Sequence, residues 1–376
     1  MSDLAELLEL LYTARDRWRT VHATLRDWTH LERSQLAFER HLEHTKGIRG
    51  PSLAVGAYGE GAGQYPRELQ FAVEIWLDRR RRFREERSSQ RMTLVSDGER
   101  ALIYSPESGV IEHETNTVRP TADALLDPAA LIAALELARH GTTVVAGRDA
   151  FVVEAEPRLP ATAPADLVPY GCDGIALAVD AERGVVLRLE ARLDGEPVRV
   201  LEVTAIAFDE DLPDELFRFE PPAGEIVRSA AEAYPSRNVS LEDAARTAAF
   251  TVCSPSRLPG RWRVHVVYRP ATERPALPET VTMLFTDTES LHYFGIEQAA
   301  QPLLAWRLGG ETIVSANGLE LRLIGGDRLP GPPLEVHLER EGTHVRVYSD
   351  NLDQASLVEL AASLEPAPTE PPPVTA

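Results

Sequence analysis

Residues 175–208 read IALAVDAERGVVLRLEARLDGEPVRVLEVTAIAF. Three apolar runs, Ile175 to Asp180, Val185 to Leu193 and Val198 to Phe208, are separated by Ala181-Glu182-Arg183-Gly184 and Asp194-Gly195-Glu196-Pro197. Runs this rich in Val, Leu and Ile, broken by four-residue clusters of Gly, Asp, Glu and Pro, are strands joined by tight turns. The stretch therefore predicts an antiparallel meander of long strands, and the rest of the chain is read from it in both directions.

Upstream, Phe151 to Glu156 continues the strand pattern, which begins at Thr142. Asp127-Pro128 predicts a short helix with proline at its first position, running through Leu131, Leu135 and Leu137 to a stop near Gly141. Met92 to Val95 and Ala101 to Tyr104 flank Ser96-Asp97-Gly98-Glu99, a hairpin signal, and Leu69 to Leu77 alternates towards Trp76. Gly47 to Pro66 holds five further glycines and reads as a flexible surface loop, able to serve as a lid. Val21, Ala23 and Leu25 alternate like a strand, while Glu32 to His44 fits helix or strand. Leu4, Leu7, Leu8 and Leu11 recur at the helical period, with Ser2 as N-cap, so the chain opens with an amphipathic helix.

Downstream, the pattern weakens after Phe217-Arg218-Phe219-Glu220-Pro221-Pro222, and Gly224 to Asn238 reads as a linker. Ser240 and Asp243 form a capping box over a helix carrying Leu241, Ala244, Ala245 and Ala248. Short strands follow at Arg263 to Tyr268, Thr280 to Thr286, Leu291 to Ile296, Leu319 to Ile324, Leu334 to Arg340 and His344 to Tyr348, then a helix at Gln354 to Leu364. The end of the chain, with five prolines from Pro366, reads as a disordered tail. The expected organisation is a first domain at 1–223, a linker at 224–239, a smaller domain at 240–365 and the tail at 366–376.

The 376 residues suffice for two or three domains, and 43% hydrophobic with 26% charged residues is a globular balance. A net charge of −20 argues against nucleic acid as a partner. Cys172 and Cys253 give no metal-ligand spacing and read as two separate thiols, though one bridge is open to them. The start is neither an export signal nor a lipidation site, and no apolar run is long enough for a spanning helix, so a cytoplasmic, soluble chain without a transmembrane segment is expected.

No GxSxG, HExxH or P-loop motif is present, and Gly59-Glu60-Gly61-Ala62-Gly63 lacks dinucleotide-loop spacing. His41 and His44 stand three apart but need a third ligand for a metal site; the acidic turn Asp209, Glu210, Asp211, Asp214 and Glu215 reads as solvated loop rather than a cation site. No enzyme activity, metal or cofactor is expected. The run Arg79-Arg80-Arg81-Arg82-Phe83-Arg84, with Arg87 and Arg91, could grip phosphate; it reads instead as solvated arginines offsetting Glu85 and Glu86.

Trp76-Leu77-Asp78-Arg79-Arg80-Arg81-Arg82-Phe83 resembles the apolar-x-x-Arg-Pro-x-x-Phe segment of the LolA-like superfamily, with Arg80 at the family's proline. Ser96-Asp97-Gly98 followed by Tyr104-Ser105-Pro106 resembles that superfamily's Asp-Gly…Tyr-x-Pro hairpin, and Phe208 to Phe219 resembles its end. The superfamily includes the lipoprotein carrier LolA and RseB-like regulators. Residues 240–364 resemble a small domain of unknown function often attached to such bacterial proteins.

The resemblance implies an α+β fold: an N-terminal unclosed antiparallel β half-barrel covered by helices, plus a smaller C-terminal α+β domain. It implies a concave apolar face able to take up acyl chains or a hydrophobic peptide. The candidate ligand and lid residues are Arg79, in the family's lid-holding position, with Trp76, Phe83 and Tyr104. The expected function is a non-enzymatic binding protein for a lipid, an acylated peptide or another hydrophobic ligand or lipidated protein partner. The alternative is a regulatory or scaffold module whose helices pack fully against the sheet; a hydrolase ranks third.

Overall fold

The computed structural model describes residues 3–44, 67–114, 118–158, 168–169, 171–256, 262–287, 293–303, 311–324, 335–349 and 352–369. The described residues divide into two compact units, one from 3–44 and 67–230 and the other from 231–369. The Gly47–Pro66 segment and the Ser2 cap lie outside the described residues.

The first unit opens with helix α1 (Asp3–Tyr12) and a short 3-10 turn (Ala14–Arg17). Strand β1 (Thr20–His30) runs into helix α2 (Leu31–His44), which settles Glu32 to His44 as helix. There follow β2 (Glu68–Asp78), β3 (Phe83–Arg87), β4 (Met92–Ser96), β5 (Arg100–Ser105) and β6 (Gly109–Glu114). Two short helices, α3 (Asp123–Leu126) and α4 (Ala129–Ala133), lead to β7 (Leu135–Val145), β8 (Arg148–Pro157), β9 (Gly174–Asp180), β10 (Val186–Leu193), β11 (Glu196–Phe208) and β12 (Val227–Ser229). The twelve strands form one sheet in the order β12-β6-β5-β4-β3-β2-β1-β11-β10-β9-β8-β7, which among the described residues does not close on itself. All ladders are antiparallel except β12 with β6.

The sheet's two faces follow from the period of two. In β2, Val73, Ile75 and Leu77 are buried, and they join Val21, Ala23 and Leu25 of β1 and Leu187, Leu189 and Ala191 of β10 in one apolar cluster. Leu7, Leu10 and Leu11 of α1, Leu125 and Leu126 of α3, and Leu131 and Ile132 of α4 belong to the same cluster. The opposite face carries cross-strand polar pairs: Arg26 with Glu202 at 2.5 Å, His22 with Glu74 at 2.9 Å, and Arg192 with Glu154 at 3.4 Å.

Two glycines fix helices against this frame. At Gly184, φ is +75° and a Cβ would stand 2.2 Å from the carbonyl oxygen of Leu10; at Gly171, φ is +83° and a Cβ would stand 1.8 Å from that of Ala37. Only glycine allows these turns to meet the backbones of α1 and α2.

One sequence expectation needs correction in this unit. The helix after Pro128 ends at Ala133 rather than near Gly141, because Leu135 and Leu137 alternate with exposed Glu136 and Ala138 and pair with β8. Leucines two apart satisfy a strand face, and the ladder outweighs local helix propensity. Gly141 lies just past the bulge at His140.

The second unit contains α5 (Ala230–Ala233), β13 (Arg237–Val239), α6 (Leu241–Thr247), β14 (Cys253–Pro255), β15 (Trp262–Arg269) and a two-stranded ribbon, β16 (Thr272–Glu273) with β17 (Ala276–Leu277). It continues with β18 (Thr280–Asp287), β19 (Tyr293–Ala299), β20 (Glu311–Ala316), β21 (Leu319–Ile324), β22 (Glu335–Arg340), β23 (Thr343–Tyr348), α7 (Gln354–Ala362) and β24 (Leu364–Pro366). Eight strands form a second sheet, β13-β15-β18-β19-β23-β22-β21-β20. Leu357 and Leu360 of α7 and Ala244 of α6 pack with Met283, Phe294, Val336 and Val347 on one face. Ser240 Oγ accepts the Asp243 N–H at 3.0 Å, and Asp353 accepts that of Ser356 at 2.7 Å, so both helices are N-capped.

Residues 224–239, read as linker, carry β12, α5 and β13. The closing helix stops at Ala362, because Leu364 to Pro366 pair with β14 and the Ala367 N–H reaches the Val252 carbonyl at 2.7 Å. That pairing orders the start of the proline-rich end; 370–376 lie outside the described residues. Cys172 and Cys253 are separate buried thiols. No described helix is long and apolar enough to cross a membrane.

Candidate functional site

The site begins where the 3-10 turn after α1 ends. A helix leaves its last carbonyls without partners, and here the chain from Asp16 to Arg19 presents four in succession. Arg79, in the β2–β3 turn, donates from Nη2 to the Asp16 carbonyl and from Nε to that of Trp18; its backbone N–H donates to the Arg19 carbonyl at 3.1 Å. Arg183, in the β9–β10 turn, donates from Nη1 to the remaining carbonyl, that of Arg17. The fork of the guanidinium is what lets one side chain span two carbonyls.

Asp209 completes the clamp. Its Oδ1 accepts the Arg19 N–H at 2.6 Å and its Oδ2 accepts from Arg183 Nη1 at 2.9 Å. The Arg19 N–H, against a smaller effect of burial and aided by Arg183, holds the Asp209 carboxyl below the usual carboxylate range. Beneath this clamp Trp18 is buried at 1% exposure, and its indole N–H meets no hydrogen-bond partner among the described residues. A buried donor left unmade costs about 1–3 kcal/mol.

A second set of polar contacts lies under α3. Glu85 of β3 is fully buried on the apolar face, where its ladder partners are Ile75 and Leu94. Its Oε1 accepts from Arg87 Nε at 2.8 Å and from the Thr121 hydroxyl at 2.9 Å, and its Oε2 accepts the Thr121 N–H at 2.6 Å. Arg15, in the 3-10 turn, pairs with Asp123 of α3 at 3.8 Å, and Arg119 reaches the same carboxylate at 3.7 Å. Burial pushes the Asp123 carboxyl up, against the opposing pull of those two arginines.

The four candidate residues do not converge. Arg79 holds the end of the 3-10 turn, and Phe83, 4% exposed, lies on the apolar face. Trp76 falls between buried Ile75 and Leu77, stacked on His22 with ring centroids 5.0 Å apart, and Tyr104 meets Phe219 at 5.9 Å. Both therefore stand on the face opposite the apolar cluster.

The arginine run forms the β2–β3 turn and is not simply solvated. Arg82, 20% exposed, bridges Asp78 at 2.7 Å and Asp214 at 2.6 Å, with its guanidinium 4.6 Å from the Phe217 ring. The acidic turn is likewise paired: Arg19 meets Asp211 at 3.0 Å. Among the described residues no group of three His, Cys, Asp or Glu is arranged for a metal, and His41 is buried in α2.

Neither a family model nor a curated protein matches the sequence. Solved structures do. The Pseudomonas aeruginosa MucA/MucB complex includes a chain 15% identical that aligns over 97% of this chain and 99% of its own, with a TM-score of 0.33. Lipoprotein LppX of Mycobacterium tuberculosis is 11% identical over 56% of this chain and 99% of its own, TM-score 0.34. A LolA-superfamily protein of Nitrosomonas europaea is 12% identical over 57% and 97%, TM-score 0.25. At these scores no role passes from them to this chain.

Sequence reasoning missed Arg183, Asp209 and Glu85 as site residues. Arg183 sits in a stretch that reads as an ordinary turn. Glu85 did carry a signal, since it is two residues from Phe83 in a strand and so shares its face.

Proposed function

We propose that the first unit is a non-enzymatic binding module that takes an acyl chain or another extended apolar segment against the sheet face now occupied by α1, α3 and α4. The observation that carries this is the double-arginine clamp on Asp16 to Arg19. The end of the 3-10 turn that follows α1 is held by side chains from two strand turns distant in sequence, and a segment held in this way can be released and recaptured.

The energetics suit exchange rather than simple opening. Leu7, Leu10 and Leu11 are 0 to 7% exposed, and each contributes about 1.5–3 kcal/mol by burial. The segment therefore does not lift unaided. An acyl chain restores about 0.8 kcal/mol per methylene, so a chain of ordinary fatty-acid length offsets the loss.

The continuity of the apolar cluster favours a second reading, a regulatory or scaffold module that recognises a protein without a small ligand. Uptake of an apolar fluorescent probe separates the two. Arg79→Leu is expected to keep the fold and to change the rate of uptake or release several-fold, while Arg80→Leu, on an exposed position of the same turn, leaves it at the wild-type value. Equal behaviour of wild type and Arg79→Leu counts against the clamp and favours the scaffold.

A further inference from the structure

A fully buried carboxylate on an apolar sheet face is costly, because desolvating a charge takes several kcal/mol unless partners replace the lost water. Glu85 stands between Ile75 and Leu94, and among the described residues its Oε2 is bonded by a partner from outside the sheet, the Thr121 N–H. Arg87, two residues along the same strand, binds Oε1; Thr121, on the segment entering α3, supplies the N–H to Oε2 and the hydroxyl to Oε1. Arg87 Nη2 also donates to that hydroxyl at 2.8 Å, so the guanidinium orients both members of the pair.

We propose, resting on the function given above, that Glu85 is the polar anchor of the ligand site and that Thr121 occupies it while no ligand is bound. When the α3 segment moves aside, Arg87 stays on the strand and keeps the carboxylate oriented. What leaves is one amide N–H and one neighbouring hydroxyl. The ligand that replaces them at least cost carries the same pair at the head of its apolar chain: an N-acyl amino alcohol or an acylated hydroxyamino acid amide. A free fatty acid brings a second carboxylate to Glu85 and is disfavoured; an ester supplies no donor.

The test uses the full chain, stripped of bound lipid, with N-dodecanoylethanolamine, methyl dodecanoate and dodecanoic acid, each titrated by displacement of an apolar fluorescent probe. A site whose buried acceptors need donors rejects an analogue lacking them, so wild type is expected to prefer the ethanolamide to the ester by about tenfold or more, with the acid weakest. Glu85→Gln is expected to collapse that preference to within about threefold with ester affinity unchanged, as loss of one charged acceptor affects only the donor-bearing head. Thr121→Val, which removes the competing hydroxyl, is expected to tighten ethanolamide binding. A purely structural Glu85 would shift all three affinities together.

If wild type binds the ester and the ethanolamide equally, or if folded Glu85→Gln keeps the preference, the anchor is wrong while the binding function stands. If Glu85→Gln does not fold, Thr121→Val decides: no gain in preference for the ethanolamide overturns the proposal. Failure of wild type to take up the probe or any of the three overturns the binding function and the anchor together.

Discussion

Arg82 shows how far neighbouring arginines can differ. It satisfies buried Asp78 and reaches Asp214, whereas Arg80 and Arg81 are exposed. Replacing Arg82 with Leu leaves Asp78 short of its partner and is expected to cost about 1–3 kcal/mol, seen as a lower denaturation midpoint, with Arg81→Leu near wild type. A midpoint unchanged in Arg82→Leu would return the residue to the solvated class. Asp209 acts at the same scale. Its depressed carboxyl adds stability above the ordinary aspartate range, about pH 4, and that stability is lost as pH falls through the lower folded value. The gap in thermal midpoint between wild type and Asp209→Asn is therefore expected to hold steady above pH 5 and to close below pH 4. A gap independent of pH would mean that charge at Asp209 does not hold the clamp.

Among the elements, α1 depends on a turn far away in sequence. Gly184→Ala drives a methyl group into the Leu10 carbonyl at a φ that disfavours any side chain. The expected result is faster hydrogen exchange confined to α1 and the 3-10 turn, with β9 and β10 still protected; unchanged exchange in α1 would show that the contact is not needed for docking. Elements of this kind were legible from the sequence only in part. The meander from Ile175 to Phe208 could be read because period-two alternation and turn residues agree. Leu135 to Gly141 misled because leucines at 131 and 135 also fit a helix, and only the β8 ladder decides. Arg79 was found through a motif, while its partners Arg183 and Asp209 come from turns 104 and 130 residues away, a proximity no local pattern encodes.

At the scale of the whole chain, each unit owns a sheet and an apolar cluster. The net charge of −20 coexists with arginines committed to carboxylates and carbonyls, which leaves little of the basic run for a polyanion. The strand runs of both units were within reach of periodicity, while the α+β class with an unclosed first sheet came from the superfamily resemblance; the strands within 224–239 were not legible, since three-residue strands carry no period. The central claim is that the apolar face of the first unit exchanges its own helices for an apolar ligand. Native mass spectrometry of the protein purified from its own host, under conditions that keep apolar adducts, tests it most directly. A bound lipid or acylated molecule, lost at higher collision energy and depleted in Arg79→Leu, is the predicted result; a bare chain in wild type and variant alike would contradict it.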